Sequence, residues 1–273
     1  MKKITLGIVL VLGLFSCNKS EGKKADKKAD KKIQIVTKTP VIDSLEKVET
    51  LSNDESLNDF ETLLPVAYQT YKGKNPVSSL TEKWVDLYKQ NGEYYLGKPD
   101  FKIENYTDDC SGAPLKVINS KKETLLFLDY PELKFGKINF IKTEKSKFWP
   151  KEKKNFTFNN INYTLRAEGE VLFEGGVITD NVNKENFNEV TNYKLYLTVG
   201  NGSEELIFTE DLFYETLLEI LFVGDIDGDG KLDFVFSTRK NVEEECVILF
   251  LSSKAENENN VKKVSETVVQ FDC

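Results

Sequence analysis

From residue 93 onward the chain offers almost no helical spacing of apolar residues. It presents instead a succession of short segments that alternate or run apolar and stop at Gly, Pro, Asn or Lys. Such segments read as strands. They are Glu93–Leu96, Thr124–Leu128, Lys137–Lys142, Asn155–Phe158, Ile161–Ala167, Tyr193–Val199, Glu205–Thr209, Leu217–Val223, Leu232–Ser237, Val247–Leu251 and Lys263–Phe271. Asn159-Asn160 predicts a hairpin between two of them, and Gly200-Asn201-Gly202-Ser203 predicts another. Leu212–Glu219 fits helix and strand equally. Many short strands with close turns lead to a mainly β fold, an antiparallel β-sandwich or barrel.

One segment breaks the pattern. Ser79 and Glu82 have the spacing of a capping box. Leu80, Trp84, Leu87 and Tyr88 follow at one helical face, and Asn91-Gly92 would end the helix. A single short N-terminal helix, with Trp84 in the core, is therefore expected.

Ahead of this domain the chain changes character. Met1-Lys2-Lys3 is a cationic start, and Ile4 to Phe15 is an uncharged, predominantly apolar run. It falls short of the ~20 residues of a membrane-spanning helix and within the ~7–15 of a secretory signal core. Its end, Leu14-Phe15-Ser16-Cys17, resembles the lipobox of bacterial lipoproteins, with Phe15 bulkier than the common choice. The resemblance implies cleavage before Cys17, thioether lipidation of Cys17 and acylation of the new amino terminus. Several acyl chains give a stable anchor where one does not. With Asn18 next and no aspartate retention signal, the resemblance implies a lipid-anchored protein of the cell envelope, at the outer membrane where the host has two. Residues 1–16 are then a signal peptide. Residues 17–57 are a lipidated cysteine with a charged flexible tether, in which Lys23-Lys24-Ala25-Asp26 repeats as Lys27-Lys28-Ala29-Asp30. Residues 58–273 are a single β-rich domain.

Charge narrows the partners. Residues 41–273 carry 27 basic and 42 acidic side chains. So acidic a domain repels phosphate backbones, and nucleic acid is not an expected partner. The chain has no histidine, which removes histidine triads, histidine-ligated zinc and imidazole acid–base chemistry. Cys110, Cys246 and Cys273 would reach an oxidising compartment, where pairing is expected. Cys246 opens an apolar run and reads as core, which favours Cys110 with Cys273. Cys246 with Cys273, across a hairpin near residue 258, is the competing pair.

The sharpest chemistry lies at Asp225-Ile226-Asp227-Gly228-Asp229-Gly230-Lys231-Leu232-Asp233. Carboxylates at positions 1, 3, 5 and 9 can converge on one cation if the chain coils tightly. Gly230 supplies the sharp turn, and Lys231 would offer its main-chain oxygen. So many hard oxygens suit Ca²⁺ better than Mg²⁺, which keeps more water. The stretch resembles the first nine residues of an EF-hand loop, but position 12 is Phe236 where an EF-hand has a bidentate glutamate. Its strand-like flanks make it more similar to the aspartate-rich loop of FG-GAP repeats. That resemblance covers about fourteen residues, Val223 to Phe236, and occurs once, so it implies a calcium loop and not a propeller. A second acidic stretch, Asp180–Glu185, lacks the glycine turn and reads as a solvated loop.

The function expected is an envelope-anchored, calcium-containing module that binds a protein or glycan or plays a structural part, without catalysis. Phe148-Trp149-Pro150 is the aromatic cluster best suited to stack on a sugar, with Tyr94 and Tyr95 as further candidates. The alternative is a carboxylate-based hydrolase such as a glycosidase, since two acids suffice for that chemistry. No motif singles out such a pair.

Overall fold

The computed structural model describes residues 58–144, 146–173, 176–177 and 189–271. Cys17, Cys273, the tether and the Asp180–Glu185 stretch lie outside them. The described residues all belong to one compact unit, Leu51–Cys273.

Among the described residues, seventeen strands follow in chain order. The first eight are β1 (Thr62–Leu63), β2 (Ala67–Gln69), β3 (Val85–Gln90), β4 (Glu93–Gly97), β5 (Phe101–Thr107), β6 (Pro114–Ser120), β7 (Glu123–Leu128) and β8 (Gly136–Lys137). Then come β9 (Lys153–Phe158), β10 (Ile161–Phe173), β11 (Gly176–Val177), β12 (Glu189–Val199) and β13 (Glu205–Tyr214). The last four are β14 (Glu219–Gly224), β15 (Asp233–Ser237), β16 (Glu244–Leu251) and β17 (Lys262–Gln270). They form four antiparallel sheets, ordered β1-β7-β3-β4-β8, β2-β6-β5, β11-β10-β12-β13 with β9 on the free side of β10, and β14-β15-β16-β17. The fold is mainly β and sandwich-like, and no closed barrel forms among the described residues.

The β14–β17 sheet is covered on both faces. Phe222, Val235, Val247, Leu249 and Leu251 pack with Leu87, Leu126 and Leu128 of the first sheet. Phe234, Phe236, Ile248 and Phe250 point the other way and pack with Leu165, Leu195, Leu197 and Phe213. Strands buried on both faces have no polar side to show, which is why Val247–Leu251 reads as an unbroken apolar run. Alternation survives where one face meets solvent, as in β12.

The expected helix is not there. Among the described residues the one helical element is a 3-10 helix, Pro76–Ser79, started by Asn75, whose Oδ1 accepts the Val77 N–H at 3.0 Å. Residues 85–90 form β3 instead. Val85 and Leu87 enter the core, and the strand pairs with β4 on one side and β7 on the other. The capping residues are used elsewhere. The Ser79 hydroxyl donates to the Pro76 carbonyl at 2.8 Å, and Glu82 pairs with Lys98 at 2.8 Å. Asn91 and Gly92, both at positive φ, form the two-residue turn that returns the chain into β4. Two neighbouring strands outweigh an intrinsic helical preference of tenths of a kcal/mol per residue, of order 0.5. Trp84 is in the core as expected.

β3 also carries a buried charge. The Asp86 side chain has no exposed surface, neither oxygen accepts a well-formed hydrogen bond, and the Lys122 ammonium stands 3.4 Å away. Burial raises the Asp86 carboxyl above its ordinary range, and Thr124 and Lys122 offset only part of this. A carboxyl whose folded pKa is raised favours the folded state when protonated, and that contribution is lost as pH rises from the unfolded value through the folded one. Asp86→Asn is therefore expected to match wild type in acid and to be the more stable of the two at neutrality. Urea titrations across pH 3–8 check this, and a variant less stable at pH 7 than at pH 4, relative to wild type, contradicts it. Lys122 keeps a partner in the variant, because it also donates to the Lys98 carbonyl and lies over the Tyr88 ring.

Candidate metal centre

The acidic loop joins β14 to β15 at one end of the doubly covered sheet. Its start is set by a close approach. A Cβ on Gly224 would stand 2.7 Å from the Asn139 carbonyl and 2.8 Å from the Phe140 side chain, so only glycine fits. The next amide, Asp225 N–H, donates to that same carbonyl at 2.9 Å. The chain then coils, with Gly228 and Gly230 at φ +79° and +86°, where a side chain would strain the backbone.

The coil gathers three carboxylates. One oxygen from each of Asp225, Asp227 and Asp229 lies within 4.8 Å of the others. Each carboxylate is aimed by main-chain donors. Asp225 accepts from Gly228 N–H on one oxygen and Gly230 N–H on the other, at 2.8 and 3.1 Å. Asp227 accepts from Asp229 N–H at 3.2 Å, and Asp229 from Lys231 N–H at 2.8 Å. Burial raises the Asp225 carboxyl, and the neighbouring Asp229 and Asp227 charges push it the same way, against the two glycine N–H donors.

Asp233 is placed differently. It is fully buried and turned inward. Its Oδ2 accepts Ile226 N–H at 2.7 Å, and its Oδ1 accepts Ser252 N–H at 2.7 Å. Burial pushes its carboxyl well above the usual range. The fourth acid of the motif thus braces the loop from beneath, and the convergent oxygens come from the other three. The Lys231 side chain is exposed.

Four supporting residues carry no signal in the sequence. The Ser253 hydroxyl donates to Asp227 Oδ2. The Ser252 hydroxyl lies 3.0 Å from Asp229 Oδ2 and 2.9 Å from Asp233 Oδ1. Asn159, in the β9–β10 turn, donates to the Gly230 carbonyl at 2.8 Å, and the Tyr163 hydroxyl accepts Leu232 N–H at 3.4 Å. They come from segments 19 to 71 residues away, and nothing in their spacing connects them to the loop.

The other candidates are dispersed. Phe148 is fully buried, with its carbonyl accepting the Tyr193 hydroxyl at 2.9 Å, and Trp149 packs against the same core. Tyr94 packs edge-on against Phe140 and Phe222, and Tyr95 stacks on Tyr88. Phe148 is committed to packing, whereas Trp149, Tyr94 and Tyr95 are half-buried. Cys110 lies in the exposed β5–β6 loop, where its N–H donates to Asp108. Cys246 is a free, buried thiol in β16, pushed up to about 12 by burial.

Comparison with known proteins returns no matching family model, no similar curated protein and no similar solved structure.

Proposed function

We propose that this chain is a lipid-anchored envelope protein whose folded domain binds one Ca²⁺ in the β14–β15 loop and acts as a non-catalytic binding or structural module. The observation that carries the calcium reading is the convergence of Asp225, Asp227 and Asp229 within 4.8 Å, each carboxylate oriented by main-chain donors. A pre-aimed set of hard oxygens matches the preferences of Ca²⁺. The Lys231 main-chain oxygen and water complete the shell in this reading. The ion's role is structural. It neutralises like charges at the point where β14 turns into β15, so that its binding energy becomes folding energy.

The anchor rests on the Leu14-Phe15-Ser16-Cys17 stretch, and the charged, low-complexity tether would act as a solvated spacer between the lipid and the acidic domain. With Cys246 buried and free, the pairing proposed is Cys110 with Cys273. One experiment addresses both assignments. Mass spectrometry of the membrane-extracted protein, digested without reduction, is expected to show an amino-terminal Cys17 carrying acyl chains and a Cys110–Cys273 cross-linked peptide. Cys17→Ala is expected to move the protein out of the membrane fraction. An unmodified Cys17 in a mature chain, or three free thiols, contradicts the respective assignment. Within Phe148-Trp149-Pro150 the Phe148 ring is buried, so a sugar-stacking role there would fall to the half-buried Trp149.

A further inference from the structure

Strand β5 is an open edge. It pairs with β6 on one side, and among the described residues no strand takes the other. Six of its seven residues are exposed. The bonds that frame the β5–β6 hairpin fix which main-chain groups face outward. Asp108 N–H donates to the Ala113 carbonyl, and Lys121 N–H to the Asp100 carbonyl, each at 2.9 Å. The even-numbered residues of β5 therefore turn their main-chain groups to β6, and Phe101, Ile103, Asn105 and Thr107 turn theirs to the free edge. Such a row is a template for another strand. Ile103 lies on the same face as Phe101, which packs on the core and stands edge-on to Phe127 at 5.8 Å. Ile103 itself is 40% exposed, an apolar surface that its own chain leaves uncovered.

We propose that β5 pairs antiparallel with β5 of a second copy of this chain, with Ile103 on the two-fold axis. Charge selects both the partner and the register. With Ile103 facing its own copy, Lys102 stands opposite Glu104 on both sides of the axis, and directly opposed residues of opposite sign stabilise a strand pair. Moving the axis to Lys102 or to Glu104 sets like charges face to face, which destabilises it. An axis at Asn105 would need Asp108 to receive Lys102. The Asp108 carboxylate is already taken by the Cys110 and Ser111 N–H groups and the Ser111 hydroxyl, at 3.0, 2.7 and 3.0 Å. That axis would also separate the two isoleucines. β13, a longer edge strand, carries Glu205, Glu210 and Asp211 and no basic residue, so it has no opposite charges to align with its own copy. One short strand buries less than the ~1,000 Å² of a stable interface, so the dimer is weak and reversible.

The test is disulfide trapping in the full chain. Under mild oxidation Ile103→Cys is expected to give a covalent dimer on a non-reducing gel, because opposed residues of a hydrogen-bonded pair have Cα atoms ~5.5 Å apart, within disulfide reach. Asn105→Cys lies off the axis and is expected to stay at the background set by wild type. Adding Lys102→Glu or Glu104→Lys to Ile103→Cys should lower the yield about tenfold, since like charges then face each other. Adding both should restore it, because opposite charges are aligned again. All four side chains are exposed, so folding is not at stake, and unchanged circular dichroism checks this. A dimer yield for Ile103→Cys no higher than the wild-type background overturns the pairing. Linkage through Asn105→Cys in its place, or a yield indifferent to the charge reversals, overturns the register and the charge selection on which the proposal stands.

Discussion

Chelating calcium from the full chain is expected to lower its thermal midpoint by several degrees, and restoring calcium to recover it. The size follows from mass action. A ligand that binds only the folded state at ~100 times its Kd stabilises it by ~2.7 kcal/mol, which for a domain of this size moves the midpoint by ~5–10 °C. The direction follows from the site. Asp225, Asp227 and Asp229 crowd their oxygens together at the end of a sheet that is buried on both faces. Their repulsion therefore bears on the β14–β15 pairing and cannot be relieved by letting the loop drift. Asp225→Asn together with Asp229→Asn is expected to remove the calcium dependence while leaving the chelated midpoint at or above that of wild type, because repelling charges have been deleted. Scanning calorimetry with elemental analysis checks both. An unchanged midpoint on chelation, with no calcium in the purified protein, ends the assignment.

The second large effect is expected at Phe236. By position it stands where an EF-hand loop would place its bidentate glutamate. By structure it is a fully buried β15 side chain, stacked on Phe234 and edge-on to Phe250, each at 5.8 Å between ring centres. Phe236→Ala should cost ~3–5 kcal/mol in urea unfolding, the usual range for deleting a buried ring. Calcium affinity of the folded fraction should stay within about twofold, a shift of ~0.4 kcal/mol. Phe236→Glu should not complete the site. The side chain points into the core, so the variant buries an unpaired charge and fails to fold. A soluble Phe236→Glu protein with tighter calcium binding would mean that the loop continues as an EF-hand after all.

Phe236 also shows how sequence and structure divide the information. The loop motif is legible because its carboxylates are local. Asp225, Asp227, Asp229 and the two glycines lie within six residues, and main-chain geometry alone brings their carboxylates together. Most strands are legible for the same reason. β9 turns into β10 through Asn159-Asn160, and β12 into β13 through Gly200–Ser203, where turn chemistry sets the pairing. β5 carries no comparable signal, because it is solvent-exposed along nearly its whole length. The stretch Leu212–Glu219, ambiguous on its own, holds the end of β13, a four-residue connection and the first residue of β14.

What the chain determines by itself is therefore what neighbours in sequence can settle: the strand-rich character, the tight turns, the coil of the acidic loop, and the absence of histidine chemistry. What tertiary structure alone decides depends on partners far along the chain. Pairing with β4 and β7 makes residues 85–90 a strand although their spacing suits a helix. Burial turns Asp233 from a ligand candidate into a brace. Ser252 and Ser253, about twenty residues beyond the loop, hold its carboxylates in place. The physical reason is the same in each case. A local pattern sets which conformations are cheap, by tenths of a kcal/mol to about one per residue. Burial and long-range hydrogen bonds are worth more, roughly one to three each, and they choose among those conformations.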